Sequence, residues 1–417
     1  MQIVADLHIH SKYSRATSTS MDIENLSSQA KIKGLNLLGT GDFTHPIWFN
    51  ELKTKLVKDE ETGFYKHDGI YFVPQTELSL MYTDGEKGRK VHHCIISPDL
   101  ETAEQITEWI KTKGRVDYDG RPIFGFDSVE FVEKIMEINS KNFVFPAHIW
   151  TPWFGLLGSM SGFDSIEECY KDQTKHIHAI ETGLSSTPAM NWRISSLDKF
   201  VPISNSDSHS PWPFRLGREA NVFEFAKPSY NELIDSMIKK DKNRFLYTVE
   251  VDPGYGKYHF DGHRNCGIVM SPSDAIAVKD TCPKCNKKMT LGVLHRVEEL
   301  ADRPEGFVPK HAIPFKTVIP VQEIISAIYG QEITTKKVSD AFRKLIARFG
   351  TELNILLYVP EHEIAKETSP ELAKAIMLNR ENKIYVKPGY DGEYGVPEFP
   401  QNLFMGKPSK QKSLGEF

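Results

Sequence analysis

Ile3-Val-Ala-Asp6-Leu-His8-Ile-His10 is the stretch on which the fold turns. With the two-residue period of a strand, Val4, Asp6, His8 and His10 share one face, while Ile3, Ala5, Leu7 and Ile9 share the other. Two imidazoles about one strand repeat apart on a common face form a chelating pair. The pattern predicts a strand that ends in metal ligands.

Outward from this strand the same pattern recurs. Residues 1–250 alternate short apolar, β-rich runs with helical patterns, which predicts βα units and a parallel sheet or barrel. Seven strands are expected, over residues 3–10, 35–42, 70–78, 91–97, 143–148, 177–181 and 201–207, with helices between them as at 23–32 and 129–138. Five strands carry metal-capable residues at or just beyond their C-terminal ends: His8 and His10, Asp42 with His45, Glu77, His148, and Asp207 with His209. The fourth strand carries His92 and His93 near its start, and alternation allows only one of them to face the ligands. In a (β/α) barrel the C-terminal strand ends meet at one mouth, so ligands scattered in sequence become one cluster.

Imidazole and carboxylate together suit zinc, manganese or iron, and Glu77 is placed to bridge two ions. So many candidate ligands imply two or three catalytic divalent metals, drawn from Zn, Mg or Mn. Ions about 3.5 to 4 Å apart would clamp a phosphate and lower the pKa of a bound water. The implied reaction is phosphoester hydrolysis, with Asp207, Glu77 and His10 as its expected catalytic residues.

A length of 417 residues with 40% hydrophobic side chains is enough for at least one large core. No apolar run approaches the roughly 20 residues of a membrane span, and the N-terminus enters a strand pattern directly, so a cytoplasmic protein is expected. Five cysteines, two of them in a CxxC, suit metal ligation in a reducing compartment better than a disulfide framework. The net charge of −5 argues against a generally basic nucleic-acid binder, yet residues 1–253 carry −8 and residues 254–417 carry +3. The acidic half suits cations and the mildly basic half suits a polyanion, although imbalances of this size also occur on ordinary solvated surface.

A second metal signal follows in His263-Arg-Asn-Cys266 and Cys282-Pro-Lys-Cys285. Paired knuckles of this kind present soft ligands from two tight turns and predict a structural zinc, with His259 and His295 as alternatives for the fourth ligand. Cys94 and Cys169 read as core cysteines. Beyond the knuckles, helices are expected over 321–329, 335–349 and 371–379, with Ser369-Pro370 as cap and first turn. Lys336, Lys337, Lys344 and Arg348 fall near one helix face, as a phosphate contact or as solvated surface. The turn-rich stretch 386–395 brings two tyrosines that either touch a ligand or pack.

Asp6-Leu-His8-Ile-His10, Thr76-Glu77-Leu, Val91-His92-His93, Ala147-His148 and Ser206-Asp207-Ser-His209 resemble, in order, the motifs of the polymerase and histidinol phosphatase (PHP) superfamily. That resemblance implies a distorted (β/α)7 barrel over residues 1–250 with a two- or three-metal phosphoesterase site. Two departures stand out: Phe43 occupies the place of an expected ligand histidine, with His45 two residues on as its substitute, and the segment after His10 holds Arg15 where a histidine would be expected. A barrel followed by a zinc module over 251–308 and a helical, DNA-contacting module over 309–417 is similar to a DNA-repair nuclease family of that superfamily. The similarity implies nicking of DNA 5′ to a deaminated base (uracil, hypoxanthine or xanthine) or an abasic site.

Aromatic loops beside the ligands favour a polymer substrate on independent grounds. Trp150, Trp153 and Phe154 follow His148, and Trp212 and Arg215 follow Asp207 and His209, as expected DNA or base contacts. Packing of these rings against the helices is the competing expectation. A small-molecule phosphatase of the histidinol-phosphate type would explain the first module alone, and a non-catalytic DNA-binding protein would require lost ligands.

Overall fold

The computed structural model describes residues 1–405. The chain forms two compact units: Met1–Lys31, Leu35–Thr248 and Leu300–Phe315 make the first, and Ile32–Gly34, Val249–Glu299 and Lys316 onward make the second.

In the first unit the strand Gln2–Asp6 pairs in parallel with Leu37–Gly39, which pairs in parallel with Ile70–Val73. On its other side Gln2–Asp6 meets Ala220–Glu224 in antiparallel register. A second sheet has the order Ile123–Phe124, Gln75–Asp84, Lys87–Ile96, Phe143–Pro146, and a parallel pair joins Ala179–Glu181 to Val201–Ile203. The fold is mixed α/β. Expected helices form at Ile23–Lys33 and Ser128–Ile138, the latter capped by the Asp127 carboxylate accepting from Glu130 N.

The strict βα reading is corrected in two places. The expected strand 70–78 breaks at Pro74, which has no N–H to donate to a ladder, so Glu77 lies near the start of a new strand, Gln75–Asp84, and does not end an old one. That new strand and Lys87–Ile96 are a hairpin in antiparallel register, with Glu77 opposite Cys94, Ser79 opposite His92 and Leu78 opposite His93. Directly opposed residues share a face, so the hairpin sends Glu77 and His92 to one side and His93 to the other. The core of this unit gathers Ile3, Ala5, Leu7, Leu37, Phe143, Phe145, Ala179, Val201 and Phe223, apolar residues of the strands that surround the candidate ligands.

The second unit contains the knuckles and a helical segment. Asp261–His263 and Ile268–Met270 form a small antiparallel pair, with Gly267 left-handed between them. Helices Val321–Tyr329, Lys336–Phe349 and Pro370–Arg380 match the expected spacing, and the Ser369 hydroxyl accepts from Leu372 N at the last one. Lys344 and Arg348 pair with the carboxylate of Glu367, 3.5 Å away in each case, so part of the expected basic face is neutralised within the unit. Tyr390 packs directly on Gly262, where a Cβ would come within 2.3 Å of its ring. The Asp391 carboxylate accepts from Arg264 N and Thr290 Oγ1, so the tyrosine loop serves to hold the knuckle.

Candidate metal centre

His8, His10, Asp42, His148 and Asp207 lie just beyond strand ends, whereas Glu77 and His92 lie within the two strands of the hairpin. Asp42, His148 and Asp207 all have positive φ, at 47°, 29° and 47°. Non-glycine residues rarely adopt this conformation, and its concentration beside three strand ends marks strain held by the surrounding structure. At His148 the chain passes Gly183 so closely that a Cβ there would lie 2.6 Å from the histidine Cβ. Asp6 secures the Asp207 turn: its carboxylate accepts from Ser206 N at 3.1 Å, Ser206 Oγ at 2.5 Å and Gly217 N at 2.9 Å.

Two groups of convergent ligand atoms result. His8, His10, Glu77 and Asp207 form one, and Glu77, His92 and His148 form the other, the atoms within each lying inside 4.8 Å of one another. Glu77 is divided between them. Its Oε2 lies 3.1 Å from His10 Nε2 and 3.5 Å from His8 Nε2, and its Oε1 lies 2.8 Å from His92 Nδ1 and 3.1 Å from His148 Nε2. One carboxylate thus faces both groups, so a cation held in each would share it.

The far side of each imidazole supports the same assignment. His8 Nδ1 lies 3.0 Å from both oxygens of Glu181, and His10 Nδ1 lies 2.9 Å from Asp42. A histidine whose Nδ1–H is taken by a carboxylate turns the Nε2 lone pair outward as a ligand. His8 Nε2, His10 Nε2 and Asp207 Oδ1 are buried and make no well-aligned hydrogen bond, although His10 Nε2 lies 3.1 Å and His8 Nε2 3.7 Å from Asp207 Oδ1. Orphaned buried polar atoms are costly, and three aimed at one another fit a divalent ion at their centre.

Charge follows burial and neighbours. Burial alone would raise the Glu77 carboxyl, but the neighbouring His92, Arg121 and His8 side chains outweigh it and hold the group well below the usual carboxylate range. Burial drives His92 down to about 4, so it stands neutral, as a metal ligand requires.

The other expected site residues fall as follows. His93 is corrected: its ring nitrogens meet Tyr170 Oη at 2.8 Å and Ser128 Oγ at 3.0 Å, on the opposite side of the hairpin from the ligands. Asp42 supports His10 and accepts from Ser11 N, Ser11 Oγ and Ser14 Oγ, outside both ligand groups. His45 stacks on Tyr13 at 4.5 Å, and Phe43 is fully buried. His209 packs against His10 with ring centroids 4.5 Å apart, at the edge of the first group. Arg15 points outward to Asp119.

The aromatic loops divide. Trp150 is buried with its Nε1–H donating to Asn191 Oδ1, and Arg215 is buried near Phe214, so the expectation of DNA contact is corrected for both. Trp153 and Trp212 are 42% exposed, and Phe154 packs on His92 at 4.5 Å with φ +67°. Sequence reasoning missed Glu181 and Arg121. Glu181 ends the expected strand 177–181, which carries none of the recurring ligand motifs, and Arg121 lies in a loop with no periodic signal.

In the second unit His263, Cys266, Cys282 and Cys285 converge within the same limit, with His263 Nδ1 3.3 Å from Cys285 Sγ. Gly267 and Asn286, each just after the second ligand of its knuckle, are left-handed, as the tight turns require. Backbone N–H groups of Lys284 and Cys285 overcome burial and lower the Cys282 thiol to about 6. His295 donates instead toward Asp261 at 2.7 Å. The four-residue set has the chemistry of a closed tetrahedral zinc site.

Fold and site together define the class: a mixed α/β protein with a carboxylate-bridged imidazole centre of the metal-dependent hydrolase kind. Its structure matches the lesion-specific endonuclease PfuEndoQ from Pyrococcus furiosus with a TM-score of 0.87 and 32% identity, over 98% of both chains. It also matches an endonuclease Q complex with a 27-mer duplex substrate carrying an abasic lesion at the active site, with a TM-score of 0.85 and 33% identity over 97% of this chain and 98% of that one. The chain belongs to the endonuclease Q family. Residues 320–383 match the family described as the MJ0043 C-terminal domain. The Methanocaldococcus jannaschii protein MJ0043 is 37% identical over 257 residues, and this chain spans about a third of that relative's length (32%).

Proposed function

We propose that this protein is a metal-dependent DNA-repair endonuclease that nicks the phosphodiester 5′ to a damaged nucleotide, either an abasic site or a deaminated base (uracil, hypoxanthine or xanthine). The observation that carries the reading is the division of Glu77 between two ligand groups in a chain that matches endonuclease Q along its length. The bound duplex of the structural relative supports DNA as the partner. Among the described residues no helix is long and apolar enough to cross a membrane. The reading divides the chain into a PHP barrel over 1–250, a zinc module over 251–308 and a DNA-contacting helical module over 309–417.

His8, His10, Asp207 and Glu77 would hold one catalytic ion, and Glu77, His92 and His148 a second. Bound there, Zn, Mn or Mg supplies an acidified water and charge neutralisation at the phosphate. Hydrolysis attaches the water oxygen to phosphorus as one ester P–O bond breaks; one water proton stays with the new phosphomonoester and the other reaches the leaving alkoxide. Glu181 and Asp42 keep His8 and His10 in the tautomer that leaves Nε2 free. Trp153 and Trp212 are the exposed rings on which an extrahelical base or an opened duplex would stack, worth about 1 to 3 kcal/mol per base.

A labelled duplex carrying one abasic site, deoxyuridine or deoxyinosine, incubated with Mn²⁺, Mg²⁺ or Zn²⁺, tests the reading. A nick 5′ to the lesion that disappears with Asp207→Asn is expected. Turnover of phosphomonoesters with no DNA cleavage under any metal would favour the small-molecule phosphatase instead.

A further inference from the structure

We infer that Arg121 is a phosphate-binding residue of this centre, its guanidinium set to hold a non-bridging oxygen of the scissile phosphate; the inference rests on the endonuclease reading. Arg121 Nη1 lies 3.1 Å from Glu77 Oε2, the oxygen that faces His8 and His10. Glu77 is fully buried, whereas the Arg121 side chain is 28% exposed, so the guanidinium stands between the ligand group and the open side of the site. An arginine stays charged at any working pH and offers five N–H donors in a planar fork, of which Glu77 takes one. The fork geometry matches phosphate oxygens.

The segment that carries Arg121 is built to lie against the ligands. A Cβ on Gly120 would come 2.3 Å from Asp42 Oδ2 and 2.4 Å from Ser14 Oγ, the two groups that support His10, so only glycine allows this approach. Gly120 N donates to the Tyr13 carbonyl at 3.1 Å, and the Asp119 carboxylate accepts from Arg121 N at 3.1 Å and Arg15 N at 3.3 Å. On the following side Ser79 N donates to the Pro122 carbonyl at 3.1 Å, which ties the segment to the strand bearing Glu77. A guanidinium carried on a backbone anchored in this way and bonded to Glu77 would meet developing charge with little reorganisation, which is the source of electrostatic stabilisation in phosphoryl transfer.

The test compares wild type, Arg121→Ala and Arg121→Lys on an abasic-site duplex with Mn²⁺, using the normal linkage and each phosphorothioate diastereomer at the scissile position. Duplex affinity and bound metal are measured in parallel. Removing one such donor is expected to lower kcat by about 100-fold. Bound metal should stay at the wild-type level, Arg121→Lys should fall between the two, and the preference for one diastereomer should shrink in Arg121→Ala. Arg121→Lys keeps charge and bulk, so it carries the test if the alanine variant does not fold. Wild-type kcat in Arg121→Ala, unchanged diastereomer preference, or loss of metal in step with loss of rate would each overturn the inference, the last by making Arg121 a support for Glu77. A wild-type protein that nicks no lesion duplex sinks the endonuclease reading and this inference together; nicking by wild type and Arg121→Ala alike sinks this inference alone.

Discussion

His92 and His93 are neighbours in sequence and opposite in circumstance. His92 is turned toward Glu77 and His148, while both nitrogens of His93 are engaged by Tyr170 and Ser128 beside Phe131. His92→Ala is therefore expected to lower bound metal without large loss of fold. His93→Ala should keep the metal and destabilise the protein by about 1 to 3 kcal/mol, because it strands buried hydroxyls. Metal analysis and denaturant melts of the two variants distinguish the roles, and equal metal loss in both would contradict the assignment. Glu181 gives a second prediction. It meets His8 Nδ1 and accepts from His148 N and Asn205 Nδ2, so Glu181→Gln should weaken metal binding by about 10- to 100-fold, measured by competition with a chelator.

Among the elements, the hairpin Gln75–Asp84 with Lys87–Ile96 makes the largest difference to the site. Its register, and not the order of residues, decides which histidine joins Glu77. The knuckle element is set differently. Its ligands come from two short turns whose spacing is already written in HxxC and CxxC, and tertiary contacts such as those of Asp391 and Tyr390 add to the hold. Cys282→Ser should release zinc and expose amides over residues 261–290 to exchange, since structural zinc binding is itself folding free energy. Retained zinc and unchanged protection would argue against the site. At the helix Pro370–Arg380, Ser369→Ala should cost about 1 kcal/mol through the lost bond to Leu372 N, read from a denaturant midpoint.

At the scale of the whole molecule, candidate ligands spread from His8 to Asp207 meet in one centre, so any ion held there would bind only the folded chain. Excess divalent metal should raise the stability of the first unit, by about 2.7 kcal/mol at 100 times Kd, and a strong chelator should lower its Tm correspondingly. A Tm unmoved by either, measured by calorimetry, would mean that no ion binds the cluster. This centre was partly legible from the chain alone. Alternation in residues 3–10 put His8 and His10 on one face, and Glu77, His148 and Asp207, each beside a strand terminus, stood out as candidate ligands, because such periodicity is local and written in consecutive residues. Ser369-Pro370 and the paired knuckles were legible for the same reason. The choice of His92 over His93, the retreat of Asp42 to a supporting role, the burial of Trp150 and Arg215, and the recruitment of Glu181 and Arg121 were not. Each depends on pairing register, on left-handed turns or on approach between segments up to 200 residues apart, as with Asp6 and Ser206. Local sequence therefore determined which residues are able to bind metal, and the tertiary structure alone decided which of them meet, because meeting is a property of backbone geometry across distant strands.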